Sequence, residues 1–113
     1  MPIYGQNPRG CILVTYNCNN GEMEYLVVHN VPFAERAGAF FGVAGAVGPR
    51  LFNLARSASP IYGRQILDAS SQNALIFGQM YFEIYQPGLA TATIRGQVRC
   101  VALRCAASSC LHC

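Results

Sequence analysis

The sequence predicts an α+β domain, with an antiparallel sheet made from two β-hairpins and a short helical middle. Three observations lead there. An Asn-Gly turn separates two alternating apolar runs within residues 10–31. Two long β-prone runs joined by a Pro-Gly turn fall within 61–104. Between them, 33–57 holds a glycine- and alanine-rich stretch with no charge at its centre. An all-β sandwich with one short helix is the alternative. Residues 1–113 are read as a single domain, long enough to bury a core.

Residues 1–9 carry Pro2 and Pro8 and read as an extended arm. The hairpin follows. Cys11–Cys18 and Met23–His29 flank Asn19-Asn20-Gly21-Glu22, and Asn-Gly between apolar runs is the strongest short hairpin signal. A two-residue turn sets Cys18 opposite Met23, Tyr16 opposite Tyr25 and Val14 opposite Val27. Ile12, Val14, Tyr16, Cys18, Met23, Tyr25 and Val27 then share the core face. Leu13, Thr15, Asn17, Glu24, Leu26 and Val28 share the other. That second face is apolar at the hairpin base, as in a ribbon covered on both sides.

Pro32 opens the central segment. At helical spacing, Phe33, Ala37, Phe40, Phe41, Ala44 and Val47 form one stripe, and Gly38, Gly42 and Gly45 another. Three interior glycines cost a helix roughly 3 kcal/mol relative to alanine, so such a helix needs a close neighbour. A strand with Phe41, Val43 and Val47 on one face is the competing reading. Gly48-Pro49 ends the segment, and Pro49–Arg56 reads as a short helix with proline at its first position. The interface candidates come from here: Phe33, Phe40, Phe41, Val43, Val47, Leu51 and Phe52.

Residues 57–60 read as a loop, 61–68 as a short strand and 69–73 as a loop. Ala74–Tyr85 reads as a long aromatic strand, with Ile76, Met80, Phe82 and Ile84 on one face and Phe77, Gln79, Tyr81, Glu83 and Tyr85 on the other. Gly78 marks a bulge in that strand. After the turn at Gln86-Pro87-Gly88, 91–104 returns as a second strand with Thr93, Arg95, Gln97 and Arg99 on a wet face. Its apolar parity changes near Cys100, which signals a bulge or an edge entering an interface. Residues 105–113 form a cysteine-rich tail.

Composition narrows the function. Hydrophobic residues make up 52% of the chain and charged residues 12%, about half the usual charged share. Disorder is excluded. All eight Lys+Arg residues are arginine. Interfaces enrich Arg and deplete Lys, although a GC-rich genome gives the same bias. A net charge of +3 argues against a nucleic-acid binder. Arg95 and Arg99 share a strand face with Thr93 and Gln97. With Tyr81 and Tyr85 on the neighbouring strand they form a face of the kind that stacks single-stranded bases, although a solvated or protein-bound face is the favoured reading. No secretory signal, membrane span or glycosylation acceptor is read.

Cys11, Cys18, Cys100, Cys105, Cys110 and Cys113 are the disulfide candidates. Without a secretory signal they read first as reduced thiols, but their even number allows bridges, and a link from the tail to Cys11 or Cys18 is one. Cys110-x-x-Cys113 with His112 resembles half a zinc site, but Cys100 and Cys105 make a poor second pair. A redox role for Cys110-x-x-Cys113 lacks the helix that stabilises a thiolate. Without lysine, a P-loop and a Schiff base are excluded. His29 reads as a core or interface residue, and Asp68 and Glu83 show no pairing. No catalytic, cofactor or metal residues are assigned.

The expected function is therefore a non-enzymatic structural or interaction subunit of a larger protein assembly, such as a minor viral shell component or a small organellar subunit. The expected partners are other protein subunits, in a homo- or hetero-oligomer. The expected setting is cytoplasmic synthesis, followed by a virion or a large intracellular complex. The alternative is a membrane-peripheral or membrane-active protein working through 37–48, whose Gly/Ala/Phe composition resembles that of membrane-inserting segments such as viral fusion peptides.

Overall fold

The computed structural model describes residues 9–89, 91–99 and 101–103. Eight strands and one helix follow in chain order: β1 (Gly10–Asn17), β2 (Glu22–His29), β3 (Arg36–Phe41), β4 (Arg50–Asn53), β5 (Ile61–Ile66), α1 (Ala69–Ile76), β6 (Met80–Tyr85), β7 (Ile94–Gln97) and β8 (Val101–Leu103). They form two four-stranded sheets, ordered β5-β2-β1-β8 and β4-β3-β6-β7. All pairings are antiparallel except β1 with β8. The fold class is thus antiparallel-rich sheet with one short helix.

The sheets pack face to face. Val14, Tyr16, Met23, Tyr25 and Val27 of the first sheet share one buried cluster with Ala39, Met80, Phe82 and Ile84 of the second. Tyr25 meets Phe82 edge to face, with ring centroids 5.7 Å apart, a favoured aromatic geometry. Period-two alternation puts these residues on the inner faces.

The first hairpin forms, but two residues out of the expected register. Tyr16 pairs with Met23 and Val14 with Tyr25, so Cys18–Gly21 is a four-residue loop. A two-residue primed turn needs positive φ at both central positions. Only Gly21 has it, at 74°. A shift of two keeps every side chain on its expected face. Cys18 is the exception: it lies in the loop and is exposed.

The helical reading of 33–57 is wrong. Residues 36–41 and 50–53 are paired strands, so Leu51 and Phe52 sit on β4 and not on a helix. Ala37 and Ala39 turn toward the core, and Phe40 takes the opposite face to stack on Tyr81 at 5.4 Å. Pairing with β6 on one side and β4 on the other satisfies the backbone and overrides local propensity.

The helix lies where a loop and a strand start were expected. Asp68 caps α1, accepting the Ser71 amide at 2.8 Å, as N-cap carboxylates do. Gly78, at φ 71°, follows the C-terminal residue Phe77 in the position where helices use glycine. It ends a helix and does not bulge a strand. Tyr16 donates to the Gln72 side chain at 2.5 Å, which ties α1 to the core.

The parity change near Cys100 has a different cause from a bulge. β7 belongs to the second sheet and β8 to the first, so the chain changes sheets between them. Of the arm at 1–9 only Arg9 lies within the described residues, and the tail at 105–113 lies outside them.

Candidate functional site

Two separate segments meet at one end of the second sheet. One is the loop 42–49, which joins β3 to β4. The other is the end of α1 with the turn at Phe77-Gly78. The Gly42 amide donates to the Gln79 carbonyl at 2.7 Å. Gln97 of β7 binds both segments at once, its Nε2 donating to the carbonyls of Gly42 at 2.9 Å and Gly78 at 2.8 Å.

The loop rests on a second set of contacts. Tyr81 Oη accepts the Gly48 amide at 2.9 Å. Arg95 donates from Nη2 to the Val43 carbonyl at 2.8 Å and from Nη1 to the Ala46 carbonyl. Its guanidinium also lies over the Tyr81 ring, 3.5 Å from the centroid. Gly45 turns the loop at φ 85°. Cationic donors to carbonyls are among the stronger hydrogen bonds of a protein, so this loop is pinned.

What the pinned segments show to solvent is apolar. Val47 is 94% exposed, Phe77 71%, Ile76 54%, Val43 52% and Phe41 40%. Side chains of this kind that remain uncovered together mark a contact surface. Four of the sequence-derived interface residues are exposed: Phe41, Val43 and Val47 at this tip, and Phe33 elsewhere. Phe40 is buried against Tyr81 and Tyr85, while Leu51 and Phe52 are half-buried against the core. Ile76 and Phe77 were missed because 74–85 was read as one strand. The Asp68 and Gly78 cap residues were the signal that could have found them.

A second apolar surface lies on the outer face of the first sheet. There Leu13 pairs with Leu26, and Leu26 with Tyr62. Leu13, Val28, Tyr62 and Ile66 are all exposed on it.

The face considered for nucleic acid is occupied by the protein itself. Arg95 serves the loop carbonyls, and Tyr81 and Tyr85 are buried, so no ring is open for a base to stack on. Burial, and after it the Glu83 carboxylate that accepts from Tyr85 Oη at 2.6 Å, pushes the Tyr85 phenol up to about 12. Burial likewise raises Tyr25, with the Ala55 amide that it accepts opposing the shift.

His29 is a structural residue. Its Nε2 donates to the Ser57 carbonyl at 2.8 Å, and its Nδ1 accepts the Val31 amide at 3.0 Å. A carbonyl only accepts and an amide only donates, which fixes the tautomer. Asp68 is committed to its helix cap. Among the described residues no group of three or more His, Cys, Asp or Glu side chains is placed to hold a metal.

Cys11 and Cys18 are both disulfide-bonded. Seven residues of extended chain hold them about 23 Å apart, far beyond the reach of a bridge. Each therefore has a partner other than the other. Cys100, Cys105, Cys110 and Cys113 lie outside the described residues. No helix is long and apolar enough to cross a membrane among the described residues.

No protein-family model, curated protein or solved structure matches the chain.

Proposed function

We propose that this chain is a non-enzymatic interaction protein, a structural subunit that packs against other protein subunits through the tip formed by 41–48 and 76–78. One observation carries the reading: two unconnected segments present Phe41, Val43, Val47, Ile76 and Phe77 to solvent while Gln97, Arg95 and Tyr81 hold their backbones in place. A pre-ordered apolar surface loses little conformational entropy on docking. The uncovered outer face of the first sheet supports a chain with more than one neighbour. The two half-cystines favour a setting outside the reducing cytosol, and the surface of a virion is one such place. A minor shell component is the finer form of the proposal.

The test is light scattering on the purified chain, with and without the paired change Val47→Glu and Phe77→Glu. A defined oligomer that the double variant converts to monomer, with an unchanged circular dichroism spectrum, supports the reading. A wild-type chain that stays monomeric and fully soluble at about 100 μM, above typical affinities for stable partners, counts against self-assembly through the tip. Flotation with neutral and anionic vesicles separates the membrane alternative: co-flotation that the same double variant abolishes would replace a protein partner with a lipid surface.

A further inference from the structure

A second site lies on the outer face of the second sheet, along β3 and β4, and uses none of the exposed tip side chains. It is an open cleft of about 490 Å³ walled by Arg36, Arg50 and Arg56. Arg64 with Glu24 is the ion pair among the described residues, so none of these three guanidiniums is neutralised by one. Glu35 is the single carboxylate on the wall. Glu83, close by, accepts the Tyr85 hydroxyl. Three arginines against one wall carboxylate leave this concavity basic.

Two of the arginines are held in place. The Arg36 guanidinium carbon stands 4.2 Å from the Tyr85 ring centroid, and Nη2 donates to the Leu89 carbonyl at 2.9 Å. The Arg50 guanidinium carbon stands 5.7 Å from the Phe40 ring. A Cβ on Gly38 would come within 3.5 Å of Arg50 Nε, so the side chain lies along bare backbone. Arg36 commits one Nη2 N–H to Leu89, and a guanidinium held against a ring still has further N–H donors on a planar fork suited to an oxyanion. Phe40 and Tyr85 are each only 8% exposed, so the site offers hydrogen-bond donors and charge but no stacking platform. Its volume lies in the range of small-ligand clefts, about 300–1,000 Å³.

We infer that this cleft binds a small phosphate-bearing anion, its tetrahedral oxygens shared among Arg36, Arg50 and Arg56. Phosphate is favoured over carboxylate because one tetrahedral group accepts from several guanidiniums at once. The inference does not rest on the tip.

Calorimetric titration of the full chain with sodium pyrophosphate at low salt tests it. Saturable one-to-one binding is expected, weakened about tenfold by Arg50→Gln. Arg56→Gln, on an exposed side chain, is expected to act in the same direction without endangering the fold. Arg99→Gln makes the same charge change outside the cleft and should leave binding within about twofold. Failure to saturate, or an equal loss in Arg99→Gln, overturns the site. Citrate binding as tightly as pyrophosphate overturns the phosphate assignment.

Discussion

The Arg95 guanidinium carbon lies 3.5 Å from the centroid of the Tyr81 ring, and the other face of the relation is the loop that this arginine holds. Stacking on Tyr81 sets the plane of the guanidinium, and the two Nη groups then reach the carbonyls of Val43 and Ala46. Arg95→Leu keeps the stem and removes both donors. It should lower stability by about 1–3 kcal/mol and leave the sheets intact. The Ala46 amide, which bonds to Val43 O, should exchange at least about tenfold faster. Unchanged exchange at Ala46 would show that the loop holds itself.

Gly63 is opposite Tyr25 in the β2–β5 pair. A Cβ there would fall on the Tyr25 phenol. The ring cannot withdraw easily, because Tyr25 Oη accepts the Ala55 amide at 2.9 Å and the ring edge meets Phe82. Gly63→Ala should therefore destabilise by about 1–3 kcal/mol, as overpacking does. In a urea-denaturation cycle, Tyr25→Phe should recover part of the loss by shortening the ring. Full additivity of the two changes would mean that they do not touch.

How far the sequence could be read depended on whether the deciding contacts were local. The first hairpin was legible because alternation from Ile12 to Val27 needs no partner to be seen, and a two-residue slip leaves each face unchanged. The inner face of β6 was legible for the same reason. The segment 36–53 was not. Ala37 and Ala39 look inert in sequence, and only pairing with β6 makes them core. Helix α1 buries Ser71, Ala74 and Leu75 and little else, so its apolar periodicity is faint. β8 reaches the first sheet by pairing Val14 with Val101, a contact that no local pattern announces. At the tip, Phe41, Val43 and Val47 were readable as uncovered. Their union with Ile76 and Phe77 depends on a Gln97 bond to two distant carbonyls.

Asp68 gives a pH dependence. Its carboxyl lies below the usual carboxylate range, chiefly because the Ser71 amide donates to it. The pKa is lowered on folding. The stabilisation is thus fully present above the ordinary carboxylate value and is lost as pH falls through the lowered one. Melting temperatures measured from pH 6 to about pH 2 should fall on the acid side, and Asp68→Asn should flatten part of that fall. A variant curve parallel to the wild-type one would remove Asp68 from the account.

The two half-cystines predict a response to reduction. Each of Cys11 and Cys18 is joined to a residue other than the other, so a bridge holds the chain at each end of β1. Reduction should lower the unfolding free energy by about 2–5 kcal/mol for each bridge lost. Non-reducing mass analysis after trapping of free thiols, with denaturation before and after phosphine treatment, checks this. Six titratable thiols in the untreated protein would contradict it.

Phe33 is the one non-glycine residue with positive φ among the described residues, at 55°, and its side chain is 69% exposed. The left-handed backbone costs about 1–2 kcal/mol for a residue bearing a Cβ, and so exposed a ring regains little of that by burial. Phe33→Gly removes the strain but loosens the unfolded chain by about 0.5–1 kcal/mol. The difference should leave the variant more stable by roughly half to one kcal/mol. Phe33→Ala keeps the Cβ and the strain, so it should be neutral or slightly destabilising. Urea denaturation of the two variants separates backbone from ring. An equal gain from both would place the effect in the exposed aromatic, and loss of oligomer in both would assign that ring to the contact surface.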